Sequence, residues 1–271
     1  MKIHSKLIPS LLAGAALASV SQADERRFTY TYEPETLPQG AMEVESWVTL
    51  RTGRSREAGR EKFNRWDLRQ ELEIGVTDRY TVSFYLNETA QNYVDPGTGE
   101  GVSEFEWKGV SIQNIYNLVN PANHAVGVSV YLEGTYSGEE AELEQKLIFG
   151  QRHGDWKWAV NLIHETEWED NLEEVEGAFG ASAGLAYDFA KNWSVGLEAR
   201  GEALLPEYGD VESWAIHVGP VISYRQEKWW AALTVMPQVV GWNDRETDGS
   251  DNLDLAHNER LNLRLLFGFN F

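Results

Sequence analysis

The sequence contains no cysteine. No disulfide can staple any part of it and no thiolate can ligate a metal, which suits an exported bacterial protein. Basic side chains are scarce, 23 against 43 acidic ones, and a chain so acidic lacks the basic face that nucleic-acid binders carry. Past the first twenty or so residues no apolar run is long enough for a membrane helix, so residence in a membrane would have to use strands. A sustained helical stripe at i, i+3, i+4 and i+7 is also missing. Disorder is excluded by the opposite abundance: 42% hydrophobic residues, 12% aromatic, eleven of them Trp.

The first 23 residues read as a signal peptide. Lys2 and Lys6 precede the apolar stretch Leu7 to Val20, and Ser21-Gln22-Ala23 offers the small residues that a signal peptidase needs. The stretch is too short for a membrane anchor. Setting it aside leaves 21 basic against 43 acidic side chains, a net charge of −22. That surplus favours water-exposed loops.

From residue 41 onward the dominant pattern is alternation with period 2, the signature of half-covered strands. Met42, Val44, Val48 and Leu50 alternate with Glu43, Glu45, Thr49 and Arg51, with Trp47 on the polar parity. Trp66, Leu68, Leu72 and Ile74 alternate with Arg65, Asp67, Arg69, Glu71 and Glu73. Further strands are expected near 79–88, 104–118, 124–137, 141–152, 156–168, 177–188, 193–204, 212–225, 229–242 and 259–271, about twelve in all. A parity change from Trp107 to Val110 predicts a bulge near Gly109. These runs are long for soluble strands and suit tilted membrane strands with their overhang.

The connections alternate strictly between tight turns (75–79, 120–123, 153–155, 190–192, 226–228) and longer or more acidic loops (52–62, 88–103, 138–140, 169–176, 205–211, 243–258). Twelve antiparallel strands with both ends on one side need five connections there and six opposite. Transmembrane barrels show this asymmetry, with short periplasmic turns and longer outer loops. Tyr80, Trp156, Trp193, Trp229 and Trp230 follow tight turns at once and are expected to form an aromatic girdle where bilayer meets water. The competing account, a soluble sandwich with Trp capping its edges, leaves the loop alternation unexplained. The fold expected is an all-β, up-and-down antiparallel transmembrane β-barrel over 40–271. Residues 24–39 are expected as a periplasmic lead-in, because Pro34 and Pro38 interrupt the alternating "FTYTY" of 28–32.

The chain ends "LRLLFGFNF", with Phe267, Phe269 and the terminal Phe271 on one parity. This ending resembles the carboxy-terminal signal by which Gram-negative outer-membrane β-barrels are recognised for insertion, and the whole mature chain resembles such a barrel. The stretches "EPETLPQGAMEVE" (33–45) and "LRQELEIGVTDRYTVSFYL" (68–86) are similar to small, poorly characterised porin- or transporter-like barrel families, including a group named for a phenol-degradation pathway. The resemblance implies the bacterial outer membrane as location. It also implies outer-membrane lipid, lipopolysaccharide and the barrel-assembly machinery as partners, with a small solute as a further one. It specifies architecture rather than substrate.

Charged residues on the polar parity are expected to face the lumen: Glu43, Glu45, Arg51, Arg65, Asp67, Arg69, Glu71, Glu73, Glu198, Arg200, Arg260 and Arg264, with Lys108, Lys146, Glu165 and Arg225 beside them. Closure of the barrel would set Arg260 and Arg264 next to the strand bearing Glu43 and Glu45. Such charges either form a selective eyelet or pair into a network that fills the lumen, and the near equality of signs favours pairing. Asp244, Glu246 and Asp248, followed by Gly249, imitate the first half of a calcium loop, but Leu255 stands where its bidentate Glu belongs, so a solvated acidic loop is the better account. A barrel-embedded lipid hydrolase would need a Ser beside a His. His217 shares its strand with Ser213 and Ser223 at separations too long for contact, which leaves Ser194 on a neighbouring strand. The expectation is therefore no enzyme and no cofactor, but a narrow, charge-lined channel for small solutes. A non-conducting structural barrel is the rival.

Overall fold

The computed structural model describes residues 26–54, 61–244 and 252–271. Twelve strands follow one another in the chain: β1 (Met42–Thr52), β2 (Glu61–Thr77), β3 (Tyr80–Val94), β4 (Gly101–Val119), β5 (Gly127–Tyr136) and β6 (Ala141–His153), then β7 (Trp156–Glu169), β8 (Glu174–Ala190), β9 (Trp193–Pro206), β10 (Ser213–Arg225), β11 (Trp229–Asn243) and β12 (Leu261–Asn270). Each pairs antiparallel with its neighbours in sequence. β12 returns to β1, with Val44 opposite Phe269 and Leu50 opposite Leu263, so no edge is left unpaired. The expected up-and-down barrel is the observed one. Gly109, at φ +91°, carries the bulge: Asn87 pairs with Gly109 and Glu88 with Trp107, which skips Lys108.

Alternation sorts the wall into two faces. Leu86, Ile112, Leu162, Leu185, Leu197 and Leu265 stand exposed on the outside, where hydrocarbon is the cover that such a band requires. Trp156 packs with Tyr187, and Trp193, Tyr224, Trp229 and Phe267 form a continuous chain of ring contacts at the tight-turn end, 4.6 to 5.8 Å between centroids. The opposite parity fills the interior with Glu43, Glu45, Glu71, Glu133 and Glu198, all buried.

Residues 26–37 are a correction to the expected lead-in. Instead of preceding the barrel they lie inside its tight-turn half, and "FTYTY" joins no sheet. Phe28 and Leu37 are fully buried, and Tyr30 and Tyr32 nearly so. The segment runs up from Arg27 to Tyr30–Tyr32 near mid-barrel, then back through Pro34 to Gly40, whose N–H donates to the Gly75 carbonyl at 2.8 Å before β1 begins. The signal peptide assigned to 1–23 lies outside the described residues.

Candidate functional site: a plugged lumen beneath a charged vestibule

The plug is held by side chains of the wall rather than by a strand ladder. Three successive backbone N–H groups, of Thr29, Tyr30 and Thr31, donate to the Glu198 carboxylate at 2.9 to 3.0 Å, and Thr234 adds its hydroxyl at 2.5 Å. Asn161 clasps Tyr32 at both backbone groups, 2.7 Å to its N–H and 2.9 Å to its carbonyl. Asn117 and Ser129 donate to the Pro34 carbonyl, and the Leu37 N–H donates to the Thr81 hydroxyl. A ring of charge ties the base: Arg27 and Arg225 meet Asp188 at 3.1 and 2.9 Å, and Lys157 pairs with Glu35. Prolines at 34 and 38 suit this arrangement, since an irregular segment inside a barrel must find its hydrogen bonds from side chains.

The wall is shaped to receive it. The lumen face of β8 carries Ala178, Gly180, Ser182, Gly184 and Ala186, where β1, β2 and β9 carry charge. Phe28 packs there with Ala159, Ala186 and Val221. A Cβ on Gly184 would stand 2.6 Å from the Phe28 ring, so glycine is what admits it.

Above the plug a cavity of about 290 Å³ opens, floored by Tyr30, Tyr32 and Trp47. Arg51, Arg65, Arg69 and Arg264 project from β1, β2 and β12; Glu142, Glu144, Glu165 and Glu167 project from β6 and β7. Several of these charges are satisfied locally. Asp67 receives both Arg51 and Arg65 at 2.6 Å, Arg69 meets Glu133 at 2.5 Å, Lys146 meets Glu144 at 2.8 Å, and Arg200 pairs with Glu202. A second cavity of about 260 Å³ shares Arg65, Lys108, Thr135, Glu142 and Glu167 with the first and reaches Glu140 and Glu169 at the outer loops. On the other side of the mouth, residues 252–260 fold inward: Asp254, Leu255 and Ala256 are buried, and Arg54 clamps Glu259 at 2.8 Å.

A family model matches residues 20–148 and 149–271, nearly the entire chain. The chain belongs to the family of unknown function DUF6662. No curated protein matches it. Among solved structures, this DUF6662 chain is similar to the COG4313 outer membrane channel from Pseudomonas putida F1, at 13% identity and a TM-score of 0.60, over 90% of this chain and 100% of that one. It is also similar to the KdgM porin in complex with disordered oligogalacturonate, at 9% identity and TM-score 0.52, covering 84% and 99% of the two chains, and to the NanC porin, at 11% identity and TM-score 0.50, covering 85% and 100%. At these identities the likeness concerns the fold. The bacterial outer membrane, expected from the sequence, is consistent with it.

In the DUF6662 barrel eleven of the twelve charged residues expected in the lumen point inward. Glu43, Glu45, Glu71, Glu73 and Glu198 are buried in the plugged half or at its upper edge, and Arg51, Arg65, Asp67, Arg69, Arg200 and Arg264 line the vestibule. Arg260 is the exception: it precedes β12 and stands exposed at the outer rim, where its N–H donates to the Gly53 carbonyl at 3.0 Å. Trp230 corrects the girdle. It occupies the inward parity of β11, fully buried, and donates its indole N–H to Glu43. Two consecutive tryptophans cannot both face lipid, so Trp229 takes the outer face; Tyr80, Trp156 and Trp193 are outward as well. Phe267, Phe269 and Phe271 are exposed on the outer wall. Glu246 and Asp248 lie outside the described residues, while Asp244 is exposed at the end of β11. His217 donates to the Glu259 carbonyl, and Ser194 bonds Asp188 and Arg225, so neither meets the other.

Sequence reasoning singled out Glu198 but missed Asn161, Asn117 and Asp188, which hold the plug with it. A signal was there. Small residues on the inward parity of β8 leave room that something bulky must fill.

Proposed function

We propose that this protein is an outer-membrane channel for small polar solutes, closed at rest by its own residues 26–37 and open at the outer end. One observation carries the reading. The seal is a separate segment bonded to the wall by side chains, and the space above it is a vestibule lined by charge that continues to the outer loops. A barrel built only for support has no use for such a vestibule. Rings of charge in a narrow lumen select among solutes, and a segment held by polar contacts can withdraw without exposing a broad apolar core.

The rival, a non-conducting structural barrel, draws on the same plug, since Glu198 and Asn161 alone receive four of its backbone N–H groups. Planar-bilayer recording separates the two. The channel reading expects discrete steps from the purified full-length protein, more frequent when the plug is weakened. Silence from both the wild type and a plug-less variant would leave only the structural barrel. Exposed Phe267, Phe269 and Phe271 at the last strand suit recognition by the assembly machinery, and replacing Phe271 is expected to lower the amount of folded barrel in outer-membrane fractions.

A further inference from the structure

The vestibule separates its surplus charges. On one wall Asp67 alone serves two guanidiniums, Arg51 and Arg65, at 2.6 Å each, with Glu259 at 3.9 Å from Arg51 as the remaining acid. Arg264 has no carboxylate within ion-pair distance among the described residues. Its guanidinium bonds the Thr49 hydroxyl at 2.9 Å and the Thr29 carbonyl at 3.4 Å, and lies over the Tyr30 ring at 4.0 Å. Across the same cavity Glu142, Glu165 and Glu167 hold carboxylate oxygens within 4.8 Å of one another. None of the three has a cation within ion-pair distance among the described residues. A cation with no carboxylate partner therefore faces a cluster of carboxyl groups with no cation in ion-pair contact, across a space of about 290 Å³, near the lower end of the size of small-molecule sites.

A solute with a single charge satisfies one wall and is repelled by the other. A neutral solute satisfies neither and strips water from both, which is costly for groups left unpaired. The molecule that answers both walls carries an anion and a cation on one small frame. We propose that the vestibule is a binding site for zwitterionic small molecules of amino-acid or short-peptide size, the carboxylate on Arg264 and the ammonium among Glu142, Glu165 and Glu167. Charge-assisted hydrogen bonds at both ends supply the affinity, and the requirement for both supplies the discrimination. The proposal names the solute class of the channel reading and rests on it for its physiological use, although the binding itself needs no open pore.

The test is calorimetric titration of the purified, detergent-solubilised full chain with L-glutamine, N-acetyl-L-glutamine and L-glutaminamide. The zwitterion is expected to bind at least about tenfold more tightly than either singly charged analogue. Arg264→Gln should abolish the preference over the cationic amide, and Glu165→Gln should weaken the preference over the N-acetyl anion. Folding of each variant is checked by its heat-modifiable migration on gels. Should a variant fail to fold, the three-ligand comparison on the wild type still decides. Equal affinity for all three, tighter binding of a singly charged analogue, or no binding at millimolar ligand overturns the site. Bilayer recording runs in parallel. Binding without any conductance removes the channel reading and keeps the site, while conductance without binding does the reverse.

Discussion

The two halves of the lumen solve opposite problems with the same wall. In the tight-turn half, strands β7 to β11 present Asn161, Glu198, Thr234 and the small residues of β8, and the chain's own residues 26–37 satisfy them. In the outer half, the continuations of β6 and β7 present Glu142, Glu165 and Glu167, and among the described residues no cation lies within ion-pair distance of them. Both halves hold carboxylates, buried around the plug and half-buried in the vestibule. The difference is that Glu198 receives three N–H groups of the plug and needs no cation, whereas the vestibule acids are left to water or to a visitor. Buried charge is tolerated when it is hydrogen-bonded and is functionally suggestive when it is not.

Removing the plug breaks the comparison most severely. Replacing residues 26–37 by a Gly/Ser stretch of equal length should leave the twelve-stranded wall intact, because its ladder does not include the segment, and convert the closed half into a second vestibule. Mean bilayer conductance is expected to rise by about tenfold or more. A barrel that stays silent after this change is closed by its wall, and the channel reading fails.

Glu198→Ala attacks the same half at one residue. It strips the acceptor from three backbone donors, and with bonds to a charged group worth roughly 1.5 to 3 kcal/mol each the seated state should lose about 4.5 kcal/mol or more. Limited proteolysis near Thr29–Thr31 and open probability in bilayers both read this loss. Gly184→Leu acts from the wall instead. It drives a side chain into the space of Phe28, and overpacking of this kind costs about 2 kcal/mol, a shift of roughly thirtyfold toward the withdrawn plug. Pairing it with Phe28→Ala should restore closure, since the smaller residue vacates the contested space. Failure of that rescue would mean that Phe28 and Gly184 do not form the seal together.

The wall was legible in the sequence because a strand facing lipid on one side and charge on the other writes its geometry into alternate residues; Leu68 and Leu72 against Arg69 and Glu71 leave one reading only. Trp47 was equally legible on the polar parity, and it does face the lumen, as part of the vestibule floor. The plug was not legible. "FTYTY" alternates as a strand would, but its partners are side chains scattered over β4, β7, β9 and β11, at sequence separations of up to 205 residues. No local pattern encodes a match between a peptide segment and a wall of small and amide-bearing residues. Trp230 escaped for a related reason: adjacency to a turn marks a height on the barrel, while parity decides the face.

The outer loops offer the gentlest test of the comparison, because they can be loosened without touching either half of the lumen. Asp254 anchors residues 252–258 over the mouth. Its carboxylate accepts from the Asn243 and Asn258 amides at 2.9 and 2.8 Å and from the backbone N–H groups of Ala256 and His257. Burial alone would push this acid up, but the hydrogen bonds from His257 and Asn258 outweigh it and hold its pKa below the ordinary aspartate value. A depressed acid contributes stability that is complete above the unfolded-state pKa, near 4, and is lost as pH falls through the folded value. The anchor should therefore hold from neutral pH to about pH 5 and weaken below about pH 4, exposing Leu255 and Ala256 to exchange and cleavage. Asp254→Asn should remove the pH dependence and leave the loop loose throughout. Hydrogen exchange across 252–258 at pH 6 and pH 3 measures it, with the plug segment in the same spectra as an internal reference: loop and plug loosening together would mean that the two ends of the lumen are coupled rather than independent.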